Sequence, residues 1–440
     1  VTAPISSNAA VFNTPHVAWG ATSPTLSDKA QHPYFLRTVP PDSIQGSGMW
    51  AWMNYFSIPA VAYFYTRESY GEGLFQTVST LAASAAQAYR VNGVGIAYQT
   101  GTYDVDLGRA ACQSIRDTGS KFVLMAMGIS EANSAMYVME QEGMLSTYQI
   151  VASEIIDYLP SNPLTPTNGL PLGFQKFLPV TQGALYPQFE SLWNMLTADD
   201  IYGAEARARY MLDDMRVLPE DASAPMLTAA DFADAASMDV MIPFLFDAGY
   251  TFVVAINNLL NQGLDATQIL GDVLLEEVKK TNFEGVSGVV TFNSDGDRSA
   301  SYEVWNTQQV AGGSSRLVKV GLYDSSTGDF STLSDFYWIG GSQGSPPDFL
   351  FDCIFGFEKD PSTLACEPCR KGVGCGYRAE DGFPLGIFGP MTTITQGYIA
   401  AAIAFDIDFR KNFDQSVRDR FGEPIVNIDN LDPSLRIKVQ

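Results

Sequence analysis

From Ile58 onward, short apolar runs alternate with longer stretches in which apolar positions recur every three or four residues. "IPAVAYFYT", "VGIAYQT", "KFVLMAMG" and "YQIVAS" are short and bounded by polar residues, as buried strands are. Between them, "GEGLFQTVSTLAASAAQAY", "GRAACQSIRDTG" and "EANSAMYVMEQEGM" carry the helical period. Strand and helix in alternation predict an α/β fold, with a parallel sheet covered by helices on both faces and therefore doubly wound.

The rhythm breaks at the Pro-rich stretch 159–173, "LPSNPLTPTNGLPLG", and helical text resumes with "FESLWNML" and "AEARARYMLDDM". The stretch "VMIPFLFDAGYTFVVAINNLLNQG" is apolar all round, which predicts a buried helix. "GVSGVVTFNSDGDRSASYEVWN" alternates with period two on both sides of Asp295 and Gly296, which predicts a hairpin. Asp295 and Asp297 also form a candidate calcium pair. The turn alone asks for those residue types, however, and the rest of a calcium loop is missing. "RLVKVGLYDSSTGDFSTL" reads as a further strand pair, and "GGSQGSPPD" opens a Cys-rich linker over 341–380. No run approaches the ~20 apolar residues of a membrane span, so none is expected.

Length suits two or three cores, or one two-lobed body: 440 residues exceed what a single core fills. The balance of 26 Lys plus Arg against 49 Asp plus Glu, a formal charge of −23, repels phosphate backbones and anionic lipid. Nucleic acid is therefore not an expected partner. Four of the five cysteines, Cys353, Cys366, Cys369 and Cys375, lie close together. Two local disulfides in an oxidising, extracellular setting explain them better than zinc, since neither His16 nor His32 is near. Cys112 lies on a helical pattern and reads as a buried thiol. With two histidines, no nucleophile beside either and no phosphate-binding glycine loop, neither an enzyme nor a cofactor is expected.

Three stretches go beyond pattern. "HVAWGATSPTLSDKAQHPYFLRTVPPDS", the "SYGEG" of Ser69 to Gly73, and "FDAGYTFVVAINNLL" followed by "FEGVSGVVTFNSDGDRSASYEVWN" resemble the type I periplasmic-binding-protein fold, in the form found in natriuretic-peptide and class C receptor ligand-binding regions. The resemblance spans about His16 to Ile339 and implies a two-lobed Venus flytrap that closes on a small ligand, often an amino acid. It implies lobe one at about 1–90 and 240–285, and lobe two at about 91–235 and 286–340. The turn "GATSP" maps the ligand's charged head to Thr22 and Ser23. The aromatic of "SYGE" maps to Tyr70, placed to cover the ligand. The family's acidic turn after the strand "YQIVAS" is replaced by "SEIIDY", where Glu154 is the available substitute.

The tail is out of phase with this pattern. "FPLGIFGPMTT", "QGYIAAAIAFDIDFRKNF" and "SLRIKVQ", within 381–440, resemble the family's opening strand, helix and next strand, yet they come last. This predicts a segment that completes lobe one of the same or a neighbouring unit. Two functions follow as expectations. One is an extracellular assembly module that polymerises with copies of itself, head to tail, into a filament. The other is a receptor ectodomain that binds an amino-acid-like ligand between its lobes.

Overall fold

The computed structural model describes residues 2–86, 89–97, 103–196, 241–309, 315–353, 357–359 and 366–368. The tail 381–440, with its expected role in completing a lobe, lies outside these residues, as do Cys369 and Cys375.

The chain opens with helix α1 (Thr2–Val11), strand β1 (His16–Ala18), a short 3-10 turn at Pro24–Ser27 and strand β2 (Phe35–Arg37). It then enters helix α2 (Asp42–Tyr55) and a regular alternation: β3 (Ala60–Thr66), α3 (Ser69–Ser84), β4 (Arg90–Ile96), α4 (Val105–Asp117), β5 (Phe122–Ala126), α5 (Ile129–Gln141) and β6 (Gln149–Ala152). After β7 (Gln175–Pro179) and α6 (Tyr186–Trp193) come α7 (Ile242–Asn261), α8 (Gly271–Lys279), β8 (Asn282–Gly285) and β9 (Gly288–Thr291). The strands β10 (Tyr302–Gln309), β11 (Ser315–Asp324) and β12 (Asp329–Thr332) follow, then a small pair, β13 (Phe357–Lys359) and β14 (Cys366–Pro368).

One large sheet dominates, in the order β12-β11-β10-β7-β6-β5-β3-β4. From β7 to β4 all pairings are parallel, whereas β10, β11 and β12 are antiparallel. Every residue of β3, β5 and β6 is buried, because helices cover both faces. Alternation within β3 divides two cores. Val61, Tyr63 and Tyr65 join Trp52, Met53 and Leu74 of α2 and α3 on one face. Ala62 and Phe64 join Cys112, Ile115 and Met136 of α4 and α5 on the other. Cys112 is a buried free thiol, and burial pushes its pKa up to about 11.

The chain leaves lobe one earlier than the sequence predicts. Residues 42–90 were expected in lobe one, but α2 packs in the core of the large sheet and β3 lies inside it. The first crossover therefore falls at 38–41. An apolar strand carries no mark of which sheet it joins; the Pro-Pro at Pro40 and Pro41, which cannot continue either β2 or a helix interior, is the physical break.

Lobe one is built differently. Among the described residues its sheet is the parallel pair β1–β2, with β8 and β9 forming a separate hairpin. The hairpin predicted around Asp295 and Gly296 is a turn only. Gly296 takes a left-handed φ of 63°, and Phe292 and Arg298 make a single bridge. Beyond it the strands part, β9 to β8 and β10 to β7 and β11, because this segment is itself a crossover. The predicted pair β11–β12 does form.

Helix α7 also departs from expectation. It has the length and hydropathy that a membrane crossing requires, which the sequence reading denied to any run. It is not buried all round either: its most apolar 18-residue window is 39% buried. One face, with Ala255 and Leu259, meets lobe one, while Leu245, Phe246, Tyr250, Val253, Ile256 and Leu260 form an exposed stripe. Asp247 ties the helix into the protein, accepting from Val286 N (2.8 Å) and Ser287 N (2.9 Å). Cys353 is bonded to Cys366, so neither is a zinc thiolate.

Candidate interlobe binding site

The site forms where the first crossover brings the loop 20–27 of lobe one against the carboxyl ends of the large sheet's strands, the customary ligand position in an α/β sheet. The loop is clasped from behind. Arg37, wholly buried, donates from Nη1 to Ala21 O (3.0 Å) and Ser23 O (2.9 Å), and from Nη2 to Ser27 Oγ (2.6 Å). Asp42 N donates to Thr22 O at 2.8 Å. The carbonyls of Ala21, Thr22 and Ser23 are thus engaged, the Ser27 hydroxyl is committed to Asp297 and those of Ser23 and Thr25 lie against each other, so the Thr22 hydroxyl, beside Asp42, is the loop hydroxyl nearest the floor of the site.

The same arginine explains the second acid of the Asp295/Asp297 turn. Asp297 Oδ1 accepts from Arg37 Nε at 2.6 Å and Oδ2 from Ser27 Oγ at 2.6 Å. Its carboxylate is committed to a buried ion pair, and no metal-ligating cluster occurs among the described residues. A second buried arginine secures the crossover after β9: Arg298 donates to Thr38 O (3.1 Å), Ser287 Oγ (2.6 Å), Ser287 O (2.9 Å) and Val289 O (3.0 Å). His16 and His32 pack edge-on against the Phe35 ring.

Lobe two supplies the aromatic. Glu68 caps α3, its Oε2 accepting from Tyr70 N and its Oε1 from Gly71 N, each at 2.8 Å. Gly71 has no room for a side chain: a Cβ there would lie 2.4 Å from Thr66 O and 2.9 Å from Ala126 O. That close approach seats the helix start directly on the ends of β3 and β5 and turns Tyr70 inward. Its hydroxyl donates to Glu154 Oε2 at 2.9 Å.

Beneath Tyr70 lies a floor of buried polar groups. Asp42 is fully buried, although acidic residues in a first helical turn are ordinarily solvated, and neither carboxyl oxygen completes a hydrogen bond of good geometry. Gln45, one turn further along α2, Ser153 and the Tyr302 hydroxyl are likewise unpaired. Burial raises the Asp42 pKa well above the usual carboxylate range. The charge of Glu154 adds to the rise, and the Thr22 hydroxyl and Arg37 only partly offset it. Burial also raises Glu154, against the pull of Gln45, Tyr70 and Lys176. Gln45 acts on Glu154 by proximity, since its amide completes no aligned bond. The Tyr70 hydroxyl is pushed up by burial and then by Glu154 and Asp42.

Of the residues singled out from sequence, Thr22, Tyr70 and Glu154 are brought together around Asp42. Ser23 stands at the margin, its hydroxyl 3.0 Å from that of Thr25. Asp42 and Gln45 went unrecognised in the sequence; the available signal was an acid directly after Pro40-Pro41 with a polar residue three positions on, on the same helical face. The site is closed, since the lobes touch where Pro24 meets Gly73, whose Cβ would lie 3.0 Å from the proline ring. Open concavities lie elsewhere: about 440 Å³ beside Leu145 and Leu172, and about 670 Å³ around Phe56 and Phe336.

A two-lobed α/β clamp with polar groups converging at the crossover defines a ligand-binding region. Residues 1–309 match the family described as receptor family ligand binding region, and the chain belongs to that family. Over 116 residues it is 33% identical to gamma-aminobutyric acid type B receptor subunit 1 of Caenorhabditis elegans, covering 24% of this chain and 12% of that protein. It is equally 33% identical over 116 residues to the corresponding subunits of Mus musculus and Rattus norvegicus, covering 24% of this chain and 11% of each. The match thus spans a small part of the length of these curated relatives.

Proposed function

We propose that this chain is the extracellular ligand-binding region of a receptor, closing on a small amino-acid-like zwitterion rather than catalysing a reaction on it. The observation that carries this reading is the pair of buried carboxyls, Asp42 and Glu154, under Tyr70 and opposite the Thr22 loop. Two acids with no cation bonded to either suit a ligand's ammonium group. The loop's hydroxyl and N–H groups suit its carboxylate. Contacts from both lobes then reward closure, because only the closed form offers both ends at once.

The family match and the receptor relatives support this reading over a self-assembling filament. Isothermal titration with glycine, glutamate and γ-aminobutyrate tests it. At least one should give a saturable heat with one site per chain, and Asp42→Asn should weaken it more than tenfold. Absence of binding across an extended amino-acid panel would overturn it.

A further inference from the structure

Two acids in one buried floor raise the question of what balances them. Neither Asp42 oxygen completes a well-aligned hydrogen bond, the Thr22 hydroxyl being its nearest donor, and Glu154 accepts from the Tyr70 hydroxyl; these donors are neutral. From the end of β2, Arg37 faces it but is bonded to Asp297 at 2.6 Å. From β7, Lys176 is bonded to Asp157 at 2.7 Å. From the cap of α3 comes Glu68, a further negative charge, and from β3, α3 and β10 come the hydroxyls of Tyr63, Tyr70 and Tyr302. Among the described residues both neighbouring cations are thus bonded to other carboxylates, and two buried like charges sharing one site do not both ionise.

We propose that Asp42 and Glu154 hold one proton between them in the empty site, and release it to solvent when a cationic ligand head enters and takes over the charge balance. This rests on the binding reading above. The proton leaves a carboxyl O–H, the bond electrons stay on the carboxylate oxygen, and the ligand's positive charge replaces the one lost. Binding is therefore linked to pH: affinity rises about tenfold per pH unit while the pair holds its proton, and levels off once it does not. A cleft of this kind senses acidity and ligand together.

The test has two arms. In the first, calorimetry of whichever of glycine, glutamate or γ-aminobutyrate binds is repeated in buffers of different ionisation enthalpy. The expected result is close to one proton released per ligand at neutral pH, and none in Asp42→Asn or Glu154→Gln. Binding without release, or release unchanged in both variants, overturns the proposal while leaving the binding reading intact. The second arm needs no ligand. The pair binds a proton that the unfolded chain does not hold near neutrality, so its contribution to stability is full below the ordinary carboxylate range and is lost as pH rises through the folded pair's pKa. Wild type should therefore lose more stability than Glu154→Gln or Asp42→Asn between pH 5 and pH 8 in urea unfolding. Parallel curves for wild type and both variants would overturn it even if no amino acid binds.

Discussion

The two lobes are held together by different physics. Lobe two has an eight-stranded sheet with a core on each face, and its central strands are buried along their whole length. Lobe one, among the described residues, has a parallel pair of three-residue strands, a small core around Tyr34, Leu36, Leu275 and Val278, and a helix with one bare apolar face. What lobe one lacks in packing it replaces with buried arginines, Arg37 on Asp297 and Arg298 on the Asp247–Ser287 corner. The difference teaches where specificity resides: lobe two is a stable platform, and the polar lacing of lobe one sets the position of the ligand loop.

Substitutions in the two lobes should therefore behave differently. The largest effect belongs to Phe64→Ala in lobe two, which empties a fully packed position and should cost about 3–5 kcal/mol, with the whole chain unfolding at lower urea. Arg37→Met in lobe one leaves Asp297 without its cation and should cost about 3 kcal/mol, at the low end for a broken buried pair because Ser27 still donates to the carboxylate. Its loss should appear first as amide exchange and proteolysis in 16–37 while β3, β5 and β6 stay protected. If both variants open the chain in the same way, the lobes are one cooperative unit and the contrast fails. The smallest effect belongs to Val253→Gln on the bare face of α7, expected within about 0.5 kcal/mol of wild type. A much larger loss would show that this stripe is covered in solution.

The same contrast decides what was legible in the sequence. The strands and helices of lobe two announce themselves by period, since burial on both faces writes near-continuous apolar runs. The motifs carrying the family resemblance singled out Thr22 and Tyr70 as ligand-binding candidates, and the structure sets the Thr22 carbonyl on Asp42 N and the Tyr70 hydroxyl on Glu154. The lobe boundary was misread by some fifty positions, from about 90 to 38–41, because β3 would read identically in either sheet. The role of Asp297 was not legible because its partner, Arg37, is 260 positions away in sequence. Asp42 was missed for a related reason. An acid at a helix start favours the macrodipole and ordinarily faces water, and nothing local reveals that lobe two and the Thr22 loop close over it.

Amide hydrogen exchange with and without the amino acids tests the central claim most directly. The account predicts that a binding amino acid slows exchange in both lobes together, at Thr22 to Ser27 and at Tyr70 to Gly73, with the α4 face of the sheet unchanged. Protection confined to one lobe, or appearing instead around Phe56 and Phe336, would contradict it.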